Sequence, residues 1–320
     1  MTIDEIPKVE LHCHLDGIPD PEMVRDIRAD DSAFPIRPED FDGLYPVADF
    51  DGFIGWWRVV ESVVGKLEHF HAVLAHYINR LKQDRVVYAE VMISGSEIPV
   101  DLVEAVEQVG VFRAAAQQQA GGDLQIEFLA AFGRGKSPEQ VEGVAERIFA
   151  LYEAGLVVGV ALAGVEPGNP VRPYQKTFER FHEAGLGIEI HAGEWCGPES
   201  GWDALEHGFP DRIGHGVRLF QDEKLIETIA ERGIHIEMCP TSNLKTGSIE
   251  RIEDHPIRLA RDMGLSFSIN TDDPGPFECS MGSECRLLSE MFGFVEADFR
   301  TIYAHSLAAR FQKVLTIEDA

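Results

Sequence analysis

The sequence predicts an α/β chain folded as a (β/α)8 TIM-type barrel, and three observations predict it. Eight short, apolar, β-branched runs are spread along the 320 residues, amphipathic stretches lie between them, and the surplus length falls after the first run. One barrel with insertions fills this length, and no low-complexity linker or composition break divides it. Residues 1–320 are therefore read as a single domain with extra helices after the first strand. A doubly wound open sheet is the alternative, but it calls for a Gly-rich phosphate loop after the first strand, where the chain reads LHCHLDG.

The first strand, KVELHCHL over residues 8–15, alternates Val9, Leu11 and Cys13 with Glu10, His12 and His14. Alternate side chains of a strand share a face, so His12 and His14 point the same way, just before an Asp16-Gly17 turn signal. Such a pair is either two metal ligands or two histidines on a solvated face, and the strand alone leaves both open. Residues 20–80 carry the extra helices. The remaining strands are expected at residues 85–94, 124–133, 156–164, 186–194, 211–217, 233–242 and 265–273. Helices are expected at residues 100–119, 138–155 and 222–233, the last two closing on Gly, a common helix stop.

Catalytic groups of a (β/α)8 barrel sit at the C-terminal ends of its strands. Read in order, those ends carry His12 and His14 on strand one, His191 in HAGE, His215 in RIGHG, and Asp272 and Asp273 in NTDDP. Four imidazoles and two carboxylates on one rim settle the question the first strand leaves open, in favour of a metal. Three neutral imidazoles and a carboxylate suit Zn2+ with a position left for water, so His12, His14, His191 and Asp272 are the expected ligands. The fourth strand ends VALAGVE without a lysine to bridge a second ion, so one metal per chain is expected. His215 is left as the base or charge stabiliser beside the water, and Asp273 orients substrate or water. Glu194, three residues after His191, is a candidate proton donor, because a carboxyl in a closed apolar site holds its proton.

The chain carries 28 basic and 55 acidic residues, a net charge of −27, which argues against nucleic-acid or anionic-membrane partners and leaves a small nucleoside or base open. No run of about 18 apolar residues occurs. The start, MTIDEIPKVE, has no apolar signal core, so a cytoplasmic enzyme is expected. Five cysteines without a C-x-x-C pair make a poor disulfide or thiolate-zinc framework. The oligomeric state is not written in the sequence.

KVELHCHLDG, YAEV, VVGVALAG, HAGE, RIGHG, CPTSN and NTDDP, in this order over nearly the whole chain, resemble the adenosine deaminase family of metal-dependent amidohydrolases. The resemblance implies one zinc on His12, His14, His191 and Asp272, and hydrolysis of the 6-amino group of adenosine or an adenosine-like nucleoside. Glu194 would protonate ring N1, His215 assist the attacking hydroxide, Asp273 bond N7, and the Gly164 backbone meet N3. It further implies that Asp16, in HLDG, lies near the sugar 5′-hydroxyl, which leans toward a nucleoside-like substrate, where members acting on free adenine read HxEG. Ala161, Val165 and Met92 stand where the family usually has Asp, an acid and Arg. These departures motivate an alternative: a modified nucleoside, an aminofutalosine-type compound or free adenine. A non-catalytic nucleoside-binding barrel is the reading from another class. Residues 50–60, FDGFIGWWRVV, are expected as a helix or lid over the pocket, where Trp56 and Trp57 can stack on a ring or close the site. At least one of them is expected to be buried in helix packing, and Trp56 is taken as a pocket residue.

Overall fold

In the computed structural model, residues 3–311 are described apart from 46, 48 and 65, so both ends of the expected 1–320 domain lie outside the described residues. Eight parallel strands form one sheet in sequential order: β1 (Lys8–His14), β2 (Val86–Ser94), β3 (Gln125–Gly133), β4 (Gly159–Ala163), β5 (Gly187–Ala192), β6 (Arg212–His215), β7 (His235–Met238) and β8 (Phe267–Ile269). Each β-branched run seen in the sequence contains one of them. The sheet closes just beyond β8, where the Asp272 N–H donates to the His12 carbonyl at 2.9 Å and the His14 N–H donates to the Asp272 carbonyl at 2.9 Å. The fold is the (β/α)8 barrel.

The expected helices form where amphipathic periodicity and caps agree. Helix Leu102–Ala120 starts at Asp101, whose carboxylate accepts the Val103 and Glu104 N–H groups. Helix Pro138–Glu153 opens on a Ser137/Gln140 capping box with Pro at its first position. Helix Glu223–Arg232 ends at Gly233 in the left-handed conformation. Between β1 and β2 run three further helices, Pro21–Asp30, Phe50–Val64 and Phe70–Gln83. Among the described residues no helix is long and apolar enough to cross a membrane. All five cysteines are unpaired.

The barrel interior is divided by chemistry. Met92, Leu129, Ala131 and Ala161 form an apolar cluster inside it. Glu10, Glu90, Glu189, Arg212 and Glu237 are all buried there, each 0–1% exposed, and burial pushes the Glu10 and Glu189 carboxyls up to about 8. A buried charge is tolerated only with a partner, and Arg212 supplies one to Glu90 and to Glu237. Its guanidinium reaches Glu90 at 2.5 Å and Glu237 at 2.6 Å. This ionic layer leads up to the strand ends.

Candidate active site

Alternation along β1 turns His12 and His14 to one side, and β5 and the turn after β8 bring His191 and Asp272 against them. The His14 and His191 Nε2 atoms face each other at 3.2 Å. Asp272 Oδ1 lies 3.4 Å from His12 Nε2 and 3.3 Å from His14 Nε2. All four donors fall within 4.8 Å of one another. Buried His12 Nε2 makes no hydrogen bond, although a buried ring nitrogen ordinarily has a partner. Burial lowers the pKa of His14 to about 4 and of His191 to about 3, which leaves both neutral with lone pairs free. An orphaned nitrogen, two facing lone pairs and a carboxylate make a donor set that fits a metal ion.

The groups that aim these ligands escape a reading of strand ends alone. Glu237 Oε2 holds His12 Nδ1 at 2.7 Å, and Glu189 Oε1 holds His191 Nδ1 at 2.9 Å. Glu237, held ionised against its burial by Arg212 and His12, sets the His12 proton on Nδ1 and turns Nε2 toward the ion, while Glu189 pins the His191 ring in place. Ser242, from CPTSN, donates to Asp272 Oδ2 at 2.6 Å. One signal for such residues is visible in the sequence: Glu189 stands two residues before His191 and so shares its face of the strand. A side chain at Gly214 would put its Cβ 2.8 Å from His12 Cε1, so RIGHG needs a glycine there to admit the imidazole.

Glu194 follows β5 on a loop that Glu166 ties down. The Glu166 carboxylate accepts the N–H groups of Gly193 at 2.6 Å, Trp195 at 2.7 Å and Cys196 at 2.9 Å, and the Ser200 hydroxyl. Burial first, then the nearby charges of Asp272 and Glu166, raise the Glu194 pKa well above the usual carboxylate range. His215 Nε2 is 3.7 Å from Glu194 Oε2. Burial, Asp272 and Asp16 likewise push Asp273 up. His215 and Asp272 both adopt left-handed backbone, with φ of 62° and 63°, which costs non-glycine residues about 1–3 kcal/mol and clusters at functional sites. Gly164 follows β4 at φ 89°, a conformation glycine adopts freely.

Helix Phe50–Val64 bridges the rim. Its Trp57 indole donates to Asp16 Oδ2 at 3.0 Å, Phe50 meets Trp195 at 4.5 Å, and Phe53 meets Phe277 at 5.2 Å. Trp56, expected at the pocket, is instead wholly buried in the helix's own packing. Its ring stacks on Phe41 and Phe53, and its N–H donates to the Tyr45 hydroxyl at 3.1 Å. Trp57 is the indole that reaches Asp16. Of the three departures from the family pattern, Met92 and Ala161 share the apolar cluster inside the barrel. Val165, 51% exposed, is the one of the three that meets solvent.

The model of the adenosine deaminase family matches residues 7–314. An adenine deaminase of Rhizobium leguminosarum bv. trifolii (strain WSM2304) is 33% identical over 316 residues, covering 97% of this chain and 96% of that protein. An aminodeoxyfutalosine deaminase of Acidothermus cellulolyticus is 32% identical over 301 residues, covering 91% and 84%. Among solved structures, a zinc-bound amidohydrolase from Burkholderia ambifaria superposes with a TM-score of 0.82 at 23% identity, covering 97% of this chain and 87% of that one, a likeness of fold.

Proposed function

The chain belongs to the adenosine deaminase family, and from that premise we propose that it hydrolyses the 6-amino group of an adenine derivative, releasing ammonia, with zinc as its metal. The convergence of His12, His14, His191 and Asp272, with Glu194 and His215 beside them, carries this reading. The relatives named for adenine and for aminodeoxyfutalosine favour one of those two substrate kinds over adenosine itself. Between them, Asp16 supports the nucleoside over the free base. Held by Trp57, its carboxylate can accept from a sugar hydroxyl that the free base lacks.

His12, His14, His191 and Asp272 would hold the ion, and zinc bound there supplies a water activated for attack at neutral pH. Glu194, kept protonated by burial, donates to ring N1 and draws electron density from C6. Asp273, also protonated, donates to the N7 lone pair, and the Gly164 backbone meets N3. His215 steadies the attacking oxygen. Helix Phe50–Val64 keeps bulk water from the ring.

The test is ammonia release from adenosine, 2′-deoxyadenosine, adenine, AMP and 5′-modified adenosines, with bound metal measured on the same preparation. The highest kcat/KM is expected on a 5′-modified adenine nucleoside, with about one zinc per chain. Adenine ahead of every nucleoside would move the reading to the free base, and adenosine ahead by orders of magnitude would overturn the preference. Zinc without turnover of any purine would favour a nucleoside-binding barrel.

A further inference from the structure

A line of buried polar side chains runs from His215 away from the metal ligands, and its direction is set at the far end. The Ile257 backbone N–H lies 3.2 Å from His255 Nδ1, and a backbone N–H can only donate. His255 is 3% exposed, and burial lowers its pKa to about 3, so the ring is neutral with one donor and one acceptor. With Nδ1 accepting, its proton is on Nε2, which lies 3.2 Å from Asn243 Oδ1. The amide oxygen accepts, so the amide nitrogen, 3.1 Å from His215 Nδ1, donates. A neutral His215 whose Nδ1 accepts carries its proton on Nε2, the nitrogen that faces Glu194.

We propose that Asn243 and His255 are positioning residues that lock His215 in the Nε2–H tautomer, so that it meets the attacking oxygen as a hydrogen-bond donor and not as a base. The inference rests on the deaminase reading of this site. It chooses between the two roles the sequence leaves to His215, because the only lone pair of its neutral ring is occupied by the Asn243 amide. Asn243 is itself held firmly for this task. It is fully buried, its N–H donates to the Cys239 carbonyl at 2.9 Å, and its carbonyl accepts from the Ile249 N–H at 3.1 Å. Each polar atom of the chain has one partner, and the Ile257 N–H, which can only donate, fixes the direction of the whole line.

Asn243→Asp is the informative variant, since it keeps the shape but replaces the donating amide by an acceptor, which calls for a proton on His215 Nδ1. Long-range proton–nitrogen correlation on protein labelled with 15N-histidine reads the tautomer directly, and the His215 signal is identified by its loss in His215→Gln. The wild type is expected to show the Nε2–H pattern, with or without zinc, and Asn243→Asp the Nδ1–H pattern. In Asn243→Asp, kcat should fall about 100-fold while KM and bound zinc stay within about twofold, as for loss of one donor to a reacting oxygen. His255→Leu should lower kcat in the same way, and His255→Gln, which restores a donating amide, should recover most of that loss. An Nδ1–H pattern in the wild type, or an Asn243→Asp enzyme with full kcat, would overturn the proposal. Should the wild type deaminate no purine, the deaminase reading fails, and the spectrum still decides the tautomer.

Discussion

Glu194 joins two features seldom found in one carboxyl: a buried setting that keeps its proton, and a loop pinned so that the proton is aimed. Three backbone N–H groups on Glu166 fix the turn that carries it. Glu194→Gln should therefore keep its geometry and its bound metal and lose only the proton, lowering kcat by about 100- to 10,000-fold. Ammonia release and metal analysis on one preparation check this, and near-normal turnover would remove Glu194 as the donor. At this scale the sequence was readable where chemistry follows local spacing. His12 and His14 share a face because strands alternate, and Glu194 stands just past a strand end. Asn243 and His255 were hidden because their task depends on contacts 28 and 12 residues apart, which no local period encodes.

Strands and helices were easier to read than the sides they show. All eight strands lie within the expected runs, because β-branched residues bounded by turns leave few other options. Helix Phe50–Val64 was anticipated as well, but not which of its tryptophans meets the site. Neighbouring residues of a helix are about 100° apart, and with apolar residues on most sides the periodicity does not choose between them. The structure separates their roles into two measurable effects. Trp56→Ala should destabilise the protein by about 3–5 kcal/mol in denaturant unfolding, as expected for a buried aromatic removed from its packing. Trp57→Phe should leave stability within about 1 kcal/mol, because it keeps the ring and removes only an N–H. It should raise KM for nucleosides more than for adenine, since Asp16 loses the group that holds it. Equal changes in both KM values would sever Trp57 from the sugar end of the pocket.

Across the whole molecule, the metal site is tied to the closed bottom of the barrel. Phe311 lies over the Arg212 guanidinium at 3.6 Å from its ring centre, and its N–H donates to Glu90 Oε1 at 2.9 Å. Arg212 bridges Glu90 and Glu237, and Glu237 grips the ligand His12. A buried charge deprived of its partner is costly, so Arg212 needs both carboxylates, and the closing ring keeps water from them. Changes at the two ends of this line should be felt differently. Glu237→Gln leaves Arg212 short of a counter-charge and His12 without its carboxylate, so zinc affinity in chelator competition should fall about 10- to 100-fold. Phe311→Ala opens the bottom but leaves the Glu237–His12 pair intact. It should lower the unfolding free energy by about 3–5 kcal/mol at most, with zinc affinity nearly unchanged. If Phe311→Ala weakened zinc as much as Glu237→Gln, the His12 imidazole would be aimed by the packing of the barrel floor, and the carboxylate would only follow it.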